Sequence, residues 1–224
     1  MTSTVDASAL PRREPGVRSR AGNAMHRTRA AVLDGAVRAV EKHGARRATM
    51  ADIATLSGIA KGTLYNHFRD KESVYAATVD GGVAVLAEEC ATVASDDLAD
   101  ALALAAERLG SHPALRRIAA DEPATLAELM TIGESPAWAA VRLSVRAVLV
   151  AAGRETSDAA VDVVLRWLVS FVGSPGREVD TQAALVAAAL PGGAAVAAAV
   201  AGDLPSADID ADRPRIPGEQ QLVF

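Results

Sequence analysis

Residues 50–68, MADIATLSGIAKGTLYNHF, restrict the fold of this chain more than any other segment. Their spacing predicts two short helices joined by a tight turn, with Ile53 and Leu64 on one shared apolar face. Gly58 supplies the conformational freedom that a short turn between helices needs. We also expect the small residues Ala54 and Gly58 to let the second helix cross the first at close range.

The second of these helices presents a polar surface away from the apolar face. That surface carries cationic, hydroxyl and amide groups and no acid, on Lys61, Gly62, Thr63, Tyr65, Asn66 and His67. A short helix with this composition favours contact with a polyanion such as nucleic acid. The simpler alternative is an ordinary helical hairpin with a solvated face.

The segment from Thr49 to Glu72 resembles the DNA-binding domain of TetR-family transcriptional regulators. The resemblance rests on the order Gly-Ile-Ala-Lys-Gly-Thr-Leu-Tyr-Asn-His-Phe over residues 58–68, followed by Asp-Lys-Glu at residues 70–72. One departure is Ala60, where the family often has serine. We therefore expect the second helix to lack a side-chain N-cap.

The resemblance implies a homodimeric transcriptional repressor that a small apolar or amphipathic ligand releases from a palindromic operator. Its partners would be double-stranded DNA, a second copy of the chain and an unidentified small molecule. Two alternatives remain: an activator or ligand-independent regulator, and a helical interaction protein that does not bind DNA. No cofactor is expected.

Within this interpretation, two groups of residues divide the contacts with DNA. Phosphate contacts are expected from Thr49, Tyr65, His67 and Lys71, with Arg46 and Arg47 beside the entrance to the first helix of the hairpin. Base edges are expected to meet Lys61, Gly62, Thr63 and Asn66. Thr49 has a second possible role as an N-cap, with Asp52 three residues later in an imperfect capping box.

The charge of the chain is unevenly distributed. Residues 1–75 carry 13 lysines and arginines against 7 acids, whereas residues 76–224 carry 10 against 21. A basic end on an acidic protein places the nucleic-acid contact at that end.

The sequence predicts an all-α protein with four parts. Residues 1–24 are expected to form a disordered basic arm, either a passive tail or a DNA-contacting one. Residues 25–86 form a three-helix helix-turn-helix domain, with a first helix from about His26 to His43 and a bridging fourth helix that Asp70 caps. Residues 87–202 form a helical ligand-binding and dimerisation domain, and residues 203–224 form an acidic flexible tail.

Inside the second domain, local signals predict several helix starts. Asp96-Asp97 start an alanine- and leucine-rich run, Pro113 and Pro123 stand at first helical positions, and Ser135-Pro136 opens a longer amphipathic segment. Thr156 or Ser157 caps the next helix.

That next helix, predicted at residues 158–172, is apolar on nearly all sides. Such a helix must be covered all round, either deep inside its own domain or partly by a partner subunit. The apolar run at residues 183–190 favours a four-helix dimer interface, and the resemblance implies the same, because members of the family dimerise through their last two long helices. The predicted interface residues are Val161, Val164, Leu165, Leu168, Ala183 and Ala187.

A regulator that responds to a signal needs a ligand pocket, and the second domain offers a few large or polar residues for one. The candidates for lining it are His112, Glu128, Met130, Trp138, Arg142, Trp167 and Phe171, although each is more commonly an ordinary core or surface residue.

Patterns typical of enzymes, metal sites and membrane proteins are missing from the sequence. The four histidines and the single cysteine, Cys90, have no metal-ligand spacing, and neither a phosphate-binding loop nor a nucleophile elbow occurs. Residues 181–202 are uncharged, but Pro191-Gly192-Gly193 interrupts them, so we do not expect a membrane span. Cys90 alone cannot form an internal disulfide, and with no apolar signal segment at the start a cytoplasmic location is expected.

Overall fold

The computed structural model describes residues 17–192, with side-chain positions from residue 24 onward. This part of the chain is built from α-helices and contains no β-strand beyond one isolated bridge between Arg154 and Gly192. The helices are α1 (Val17–His43), α2 (Met50–Ser57), α3 (Lys61–His67), α4 (Lys71–Ala94), α5 (Leu98–Ser111), α6 (Pro113–Asp121), α7 (Pro123–Met130), α8 (Pro136–Ala151), α9 (Asp158–Val169) and α10 (Val179–Ala189). The all-α prediction is confirmed.

The first helix is longer than the sequence pattern predicted. It begins at Val17 rather than near His26, so residues 17–24 of the predicted arm are helical. Periodicity missed this extension because the segment has few apolar residues to mark a buried face. The rest of the arm, residues 1–16, and the acidic tail, residues 203–224, lie outside the described residues.

Several predicted helix ends are confirmed, and each depends on a local hydrogen bond or backbone conformation. Gly44 follows α1 with a positive φ of 80°. Asp70 caps α4 by accepting a hydrogen bond from the Ser73 N–H, and Ser157 caps α9 in the same way through Ala160. Proline stands at the first position of α6, α7 and α8.

The N-terminal helices enclose a small core that fixes α2 and α3 against α1. Its fully buried side chains include Val32, Ile53, Leu64 and Val74, from four different helices. Because α3 has only seven residues, this burial stabilises it more than its intrinsic helix propensity does.

The close crossing of α1 and α2 depends on a glycine that the sequence pattern did not identify. A Cβ placed on Gly35 of α1 would lie 2.6 Å from the Ser57 Cβ and 2.7 Å from its backbone nitrogen. A Cβ on Gly58 would contact nothing within 4 Å, so the predicted packing role of Gly58 is wrong. Gly58 is needed because its φ is 69°, in the left-handed region.

The C-terminal helices form a larger core, in which α4 packs against α5 and α8, α10 packs against α5, and α9 packs against α5 and α8. Leu102 and Leu149 are among its largest buried side chains. Cys90 is 2% exposed, and burial chiefly raises the pKa of its thiol to about 11. No helix within residues 17–192 is both long and apolar enough to cross a membrane.

This core already covers most of the residues predicted for the dimer interface. At most 5% of the surface of each of five of them is exposed in the single chain: Val161, Val164, Leu165, Ala183 and Ala187. Leu168 is half-buried against the same core. The prediction that these side chains meet a partner is therefore wrong for the five, since α5 and α8 of their own subunit occupy that position. Residues on the outward faces of α9 and α10 remain exposed, notably Val163 (50%) and Leu185 (66%).

Two structural connections join the N-terminal and C-terminal cores. Helix α4 contributes Val74 and Ala77 to the first core and Cys90 and Ala94 to the second. In addition, a third apolar cluster joins the end of α1 to α6, through Val40, Ala45, Ala114 and Ile118. The helix-turn-helix is thus attached to the rest of the chain at two places.

Candidate nucleic-acid interface

Buried apolar residues hold one face of α3 against the N-terminal core, and the polar residues of the helix face outward. Leu64 is fully buried and Phe68, which follows the helix, is 4% exposed. The guanidinium carbon of Arg29 lies 4.9 Å from the centre of the Phe68 ring. This anchoring fixes the orientation of the opposite face of α3.

The outward surface of α3 contains most of the residues predicted to contact DNA. Exposed side chains or backbone belong to Lys61, Gly62, Tyr65 and Asn66, while Thr63 and His67 are half-buried. The Lys61 ammonium lies 6.0 Å from the centre of the Tyr65 ring. As expected, Ala60 provides no side-chain cap, so its side chain accepts no hydrogen bond from the first N–H groups of α3.

Thr49 forms a complete capping box with Asp52. The threonine hydroxyl accepts a hydrogen bond from the Asp52 N–H at 3.2 Å and donates one to Asp52 Oδ2 at 2.6 Å, and the Thr49 N–H donates to the same oxygen. The hydroxyl bond from Thr49, followed by the backbone bond, lowers the pKa of Asp52. Thr49 therefore orients α2, and its predicted phosphate contact stays a prediction.

Lys71 and Tyr75, one helical turn apart on α4, hold the α1–α2 turn, which we define as residues 44–48. The Lys71 ammonium donates hydrogen bonds to the carbonyl oxygens of Ala45 and Arg46, each at 3.1 Å. The Tyr75 hydroxyl donates to the Ala45 carbonyl at 2.9 Å. Burial first, and then the nearby Glu122 carboxylate, raise the pKa of Tyr75 to about 12. Sequence reasoning had assigned Lys71 to phosphate alone and had missed Tyr75, although the i, i+4 spacing places both residues on one face.

The two arginines of the α1–α2 turn are exposed, but the backbone of the turn contacts the residue between α6 and α7. Arg47 Nε donates to the His43 carbonyl at 3.2 Å. The Arg46 N–H donates to the carboxylate of Glu122, the residue between α6 and α7. An open cavity of about 530 Å³ lies here, lined by both arginines, Asp121 and Glu122. Glu122 lies 76 residues away in sequence, and no motif pointed to it.

The helix-turn-helix region also matches a protein-family model. The model for bacterial regulatory proteins of the tetR family matches residues 32–78, from α1 to the first turns of α4. In this N-terminal region the chain is similar to the tetR family of bacterial regulatory proteins. The matched residues include the buried anchors and the exposed surface of α3.

Two regulators from Pseudomonas putida are also similar to this chain over a short segment. The HTH-type transcriptional regulator TtgR is 43% identical over 53 residues, which cover 24% of this chain and 25% of that protein. The probable HTH-type transcriptional regulator ArpR matches with the same identity and coverage. The chain thus matches about a quarter of the length of these curated relatives.

A solved structure extends the likeness to the C-terminal helices. The TetR-family repressor AlkX from Dietzia sp., implicated in biodegradation of n-alkanes, has a TM-score of 0.56 and 20% identity. The alignment covers 72% of this chain and 91% of that chain. At this identity the likeness concerns the fold, namely an N-terminal helix-turn-helix domain and a C-terminal helical domain.

The seven predicted pocket residues of the chain do not form one group. Trp167 and Phe171 contact each other edge to face at 4.8 Å, and Trp167 Nε1 donates to Gln182. Trp138 lies at the edge of the same C-terminal core. Arg142 instead donates to the Gly133 carbonyl at 2.9 Å.

The other three predicted pocket residues lie between the end of α5 and the end of α7. His112 stands between α5 and α6 with a buried Nδ1 that has no hydrogen-bond partner, while Glu128 is exposed and Met130 half-buried on α7. None of the seven lines the cavity beside Arg46. Among the described residues, no group of three or more His, Cys, Asp or Glu side chains could hold a metal ion.

Proposed function

We propose that the chain is a sequence-specific DNA-binding regulator of transcription, acting as a homodimeric repressor that a small apolar or amphipathic ligand releases from a palindromic operator. The observation that carries DNA binding is the acid-free outward surface of α3, fixed from below by Leu64 and Phe68. Side chains on such a helix reach base edges in the major groove, while flanking groups bind phosphate.

Homodimerisation is proposed through the outward faces of α9 and α10. Val163 and Leu185 are large apolar side chains that remain exposed there, next to small exposed residues such as Ala184 and Ala188. A two-fold dimer would present two α3 helices to half-sites about 34–36 Å apart, or a multiple of that spacing.

An apolar or amphipathic ligand is proposed because the C-terminal core is rich in alanine and valine, with Trp138 and Trp167 at its edge. These residues offer apolar surface, and few polar groups are available to orient a strongly polar ligand.

DNA binding is tested by selecting bound sites from random duplexes with the full chain. We expect the selection to show different roles for two residues of α3. Lys61→Ala should flatten base preference at one position of each half-site, with a loss of roughly 1–3 kcal/mol. Tyr65→Phe should weaken binding to all sequences alike, because the hydroxyl is assigned to phosphate.

Arg116→Ala is the matched control for Lys61→Ala, because it removes one exposed cation from α6 and leaves α3 unchanged. It should leave the selected sequence unchanged. If Lys61→Ala kept the full sequence preference of the wild type, the assignment of Lys61 to base edges would be wrong.

The effects of ligand and operator DNA on each other's affinity should be reciprocal. A compound that lowers operator affinity a hundredfold needs about 2.7 kcal/mol of coupling, so operator DNA must weaken binding of that compound by the same factor. Calorimetric titration of the compound with and without operator DNA measures this directly. Equal affinities in the two titrations would contradict release through this linkage.

A further inference from the structure

The carboxylate of Glu122 connects the C-terminal helices to the backbone of the helix-turn-helix. Its Oε1 and Oε2 accept hydrogen bonds from the Arg46 N–H at 3.2 and 3.1 Å. Glu122 lies between α6 and α7, where it ends one helix and precedes Pro123 at the start of the next. Its position therefore follows any movement of these two helices.

The α1–α2 turn is shaped to receive this carboxylate. Gly44 has a φ of 80°, which strains any residue with a Cβ, and a Cβ built there would overlap Glu122 Oε1. The backbone conformation therefore calls for glycine, and a Cβ at this position would displace the Glu122 carboxylate.

Groups from α4, from α6 and from the residue after α6 hold this turn. The apolar cluster of Val40, Ala45, Ala114 and Ile118 presses α6 against it, and each of these side chains is at most 9% exposed. Glu122 binds its N–H group from the C-terminal side, while Lys71 and Tyr75 bind its carbonyl groups from α4. The conformation of the turn therefore depends on both domains.

We propose that Glu122 is a positioning residue that couples the C-terminal domain to the DNA-binding surface. It fixes the α1–α2 turn, which carries Arg46 and Arg47 and leads directly into Thr49, the N-cap of α2. A shift of α6 and α7 breaks the two hydrogen bonds to Arg46 and releases the turn. This coupling rests on the proposed DNA-binding function, but the contact on which it depends exists without DNA.

The first experiment measures hydrogen exchange at the Arg46 amide in the full chain without DNA. Glu122→Ala should accelerate that exchange about tenfold, because the amide loses a bond to a charged acceptor. Glu122→Gln, which keeps one acceptor oxygen, should restore much of the protection. Asp121→Asn is the matched control: it removes the neighbouring charge, which pairs with Arg117, and should leave the Arg46 amide unchanged.

The second experiment repeats the measurement with the duplex recovered by site selection. In the wild type, DNA should slow exchange at residues 118–126 around Glu122, whereas in Glu122→Ala this distant protection should be lost. A residue that merely stabilised the fold would not remove the response to DNA.

Three results would overturn the proposal. Unchanged exchange at Arg46 in Glu122→Ala would show that the contact does not order the turn. Retained DNA protection at residues 118–126 in the same variant would show that coupling follows another route. Equal gains in DNA affinity for Glu122→Gln and Asp121→Asn, without faster exchange at the Arg46 amide, would show that Glu122 acts only as a charge that repels DNA. If no duplex is selected, the proposed function fails, and the first experiment alone decides whether Glu122 couples the domains.

Discussion

Replacing Gly35 by alanine is expected to destabilise the helix-turn-helix domain by about 1–3 kcal/mol, which is the usual effect of overpacking a tight core. Alanine is ordinarily the better helix former by roughly 1 kcal/mol, so the helix itself would favour the substitution. The packing term outweighs this gain because the new Cβ would lie 2.6–2.8 Å from the Cβ, nitrogen and Cα of Ser57. Two of these are backbone atoms, so α2 must move, and the orientation of α3 changes with it.

Gly82→Ala is the matched control, because the same substitution falls inside helix α4. A Cβ there meets nothing within 4 Å, so the variant should gain roughly 0.4–1 kcal/mol. Urea unfolding of both variants compares the two free energies, and DNA affinity reports the position of α3. If Gly35→Ala were as stable as Gly82→Ala and bound DNA normally, the close crossing of α1 and α2 would not be what positions the recognition surface.

The two glycines Gly35 and Gly58 show which parts of the fold a sequence reveals. The turn at Gly58 was predictable because a left-handed residue between two short helices is a local requirement. The same local character made the caps at Thr49, Asp70 and Ser157 predictable. The close crossing depends on which residue of α1 lies opposite Ser57, and only the tertiary arrangement determines that pairing.

Long-range contacts limited the prediction of the site in the same way. The exposure of Lys61, Gly62, Tyr65 and Asn66 follows from the helical spacing around the buried Leu64, whereas Thr63 and His67 are half-buried. The hydrogen bonds from Lys71 to the α1–α2 turn and from Arg46 to Glu122 join residues 25 to 76 positions apart. Such contacts leave no local signature, so the structural role of Lys71 and the whole role of Glu122 were missed.

Helix α9 illustrates a different limit. Its apolar composition correctly required cover on all sides, but composition does not distinguish cover by the same subunit from cover by a partner. The structure assigns Val161, Val164 and Leu165 to the interior of the subunit, because α5 and α8 lie against them. The surface that remains available to a partner subunit is the outward face of α9 and α10.

Two substitutions on these helices should therefore have different consequences. Val164→Asp places an unpaired charge at a site that is 2% exposed, and we expect a loss of more than about 4 kcal/mol, enough to unfold much of the protein. Leu185→Arg changes a side chain that is 66% exposed, so the single chain should keep its stability. If α10 meets its copy across a two-fold axis, this arginine should convert the dimer to folded monomers, because two like charges would have to be buried together.

Sedimentation equilibrium at micromolar concentration, together with helical content by circular dichroism, separates these outcomes. Leu129→Arg is the matched control, since it introduces the same charge at an exposed leucine of α7 and should leave the dimer intact. A wild-type chain that sediments as a monomer would contradict the proposed dimer altogether. A Leu185→Arg variant that stays dimeric would move the interface away from α10, and with it the spacing at which the two α3 helices can meet an operator.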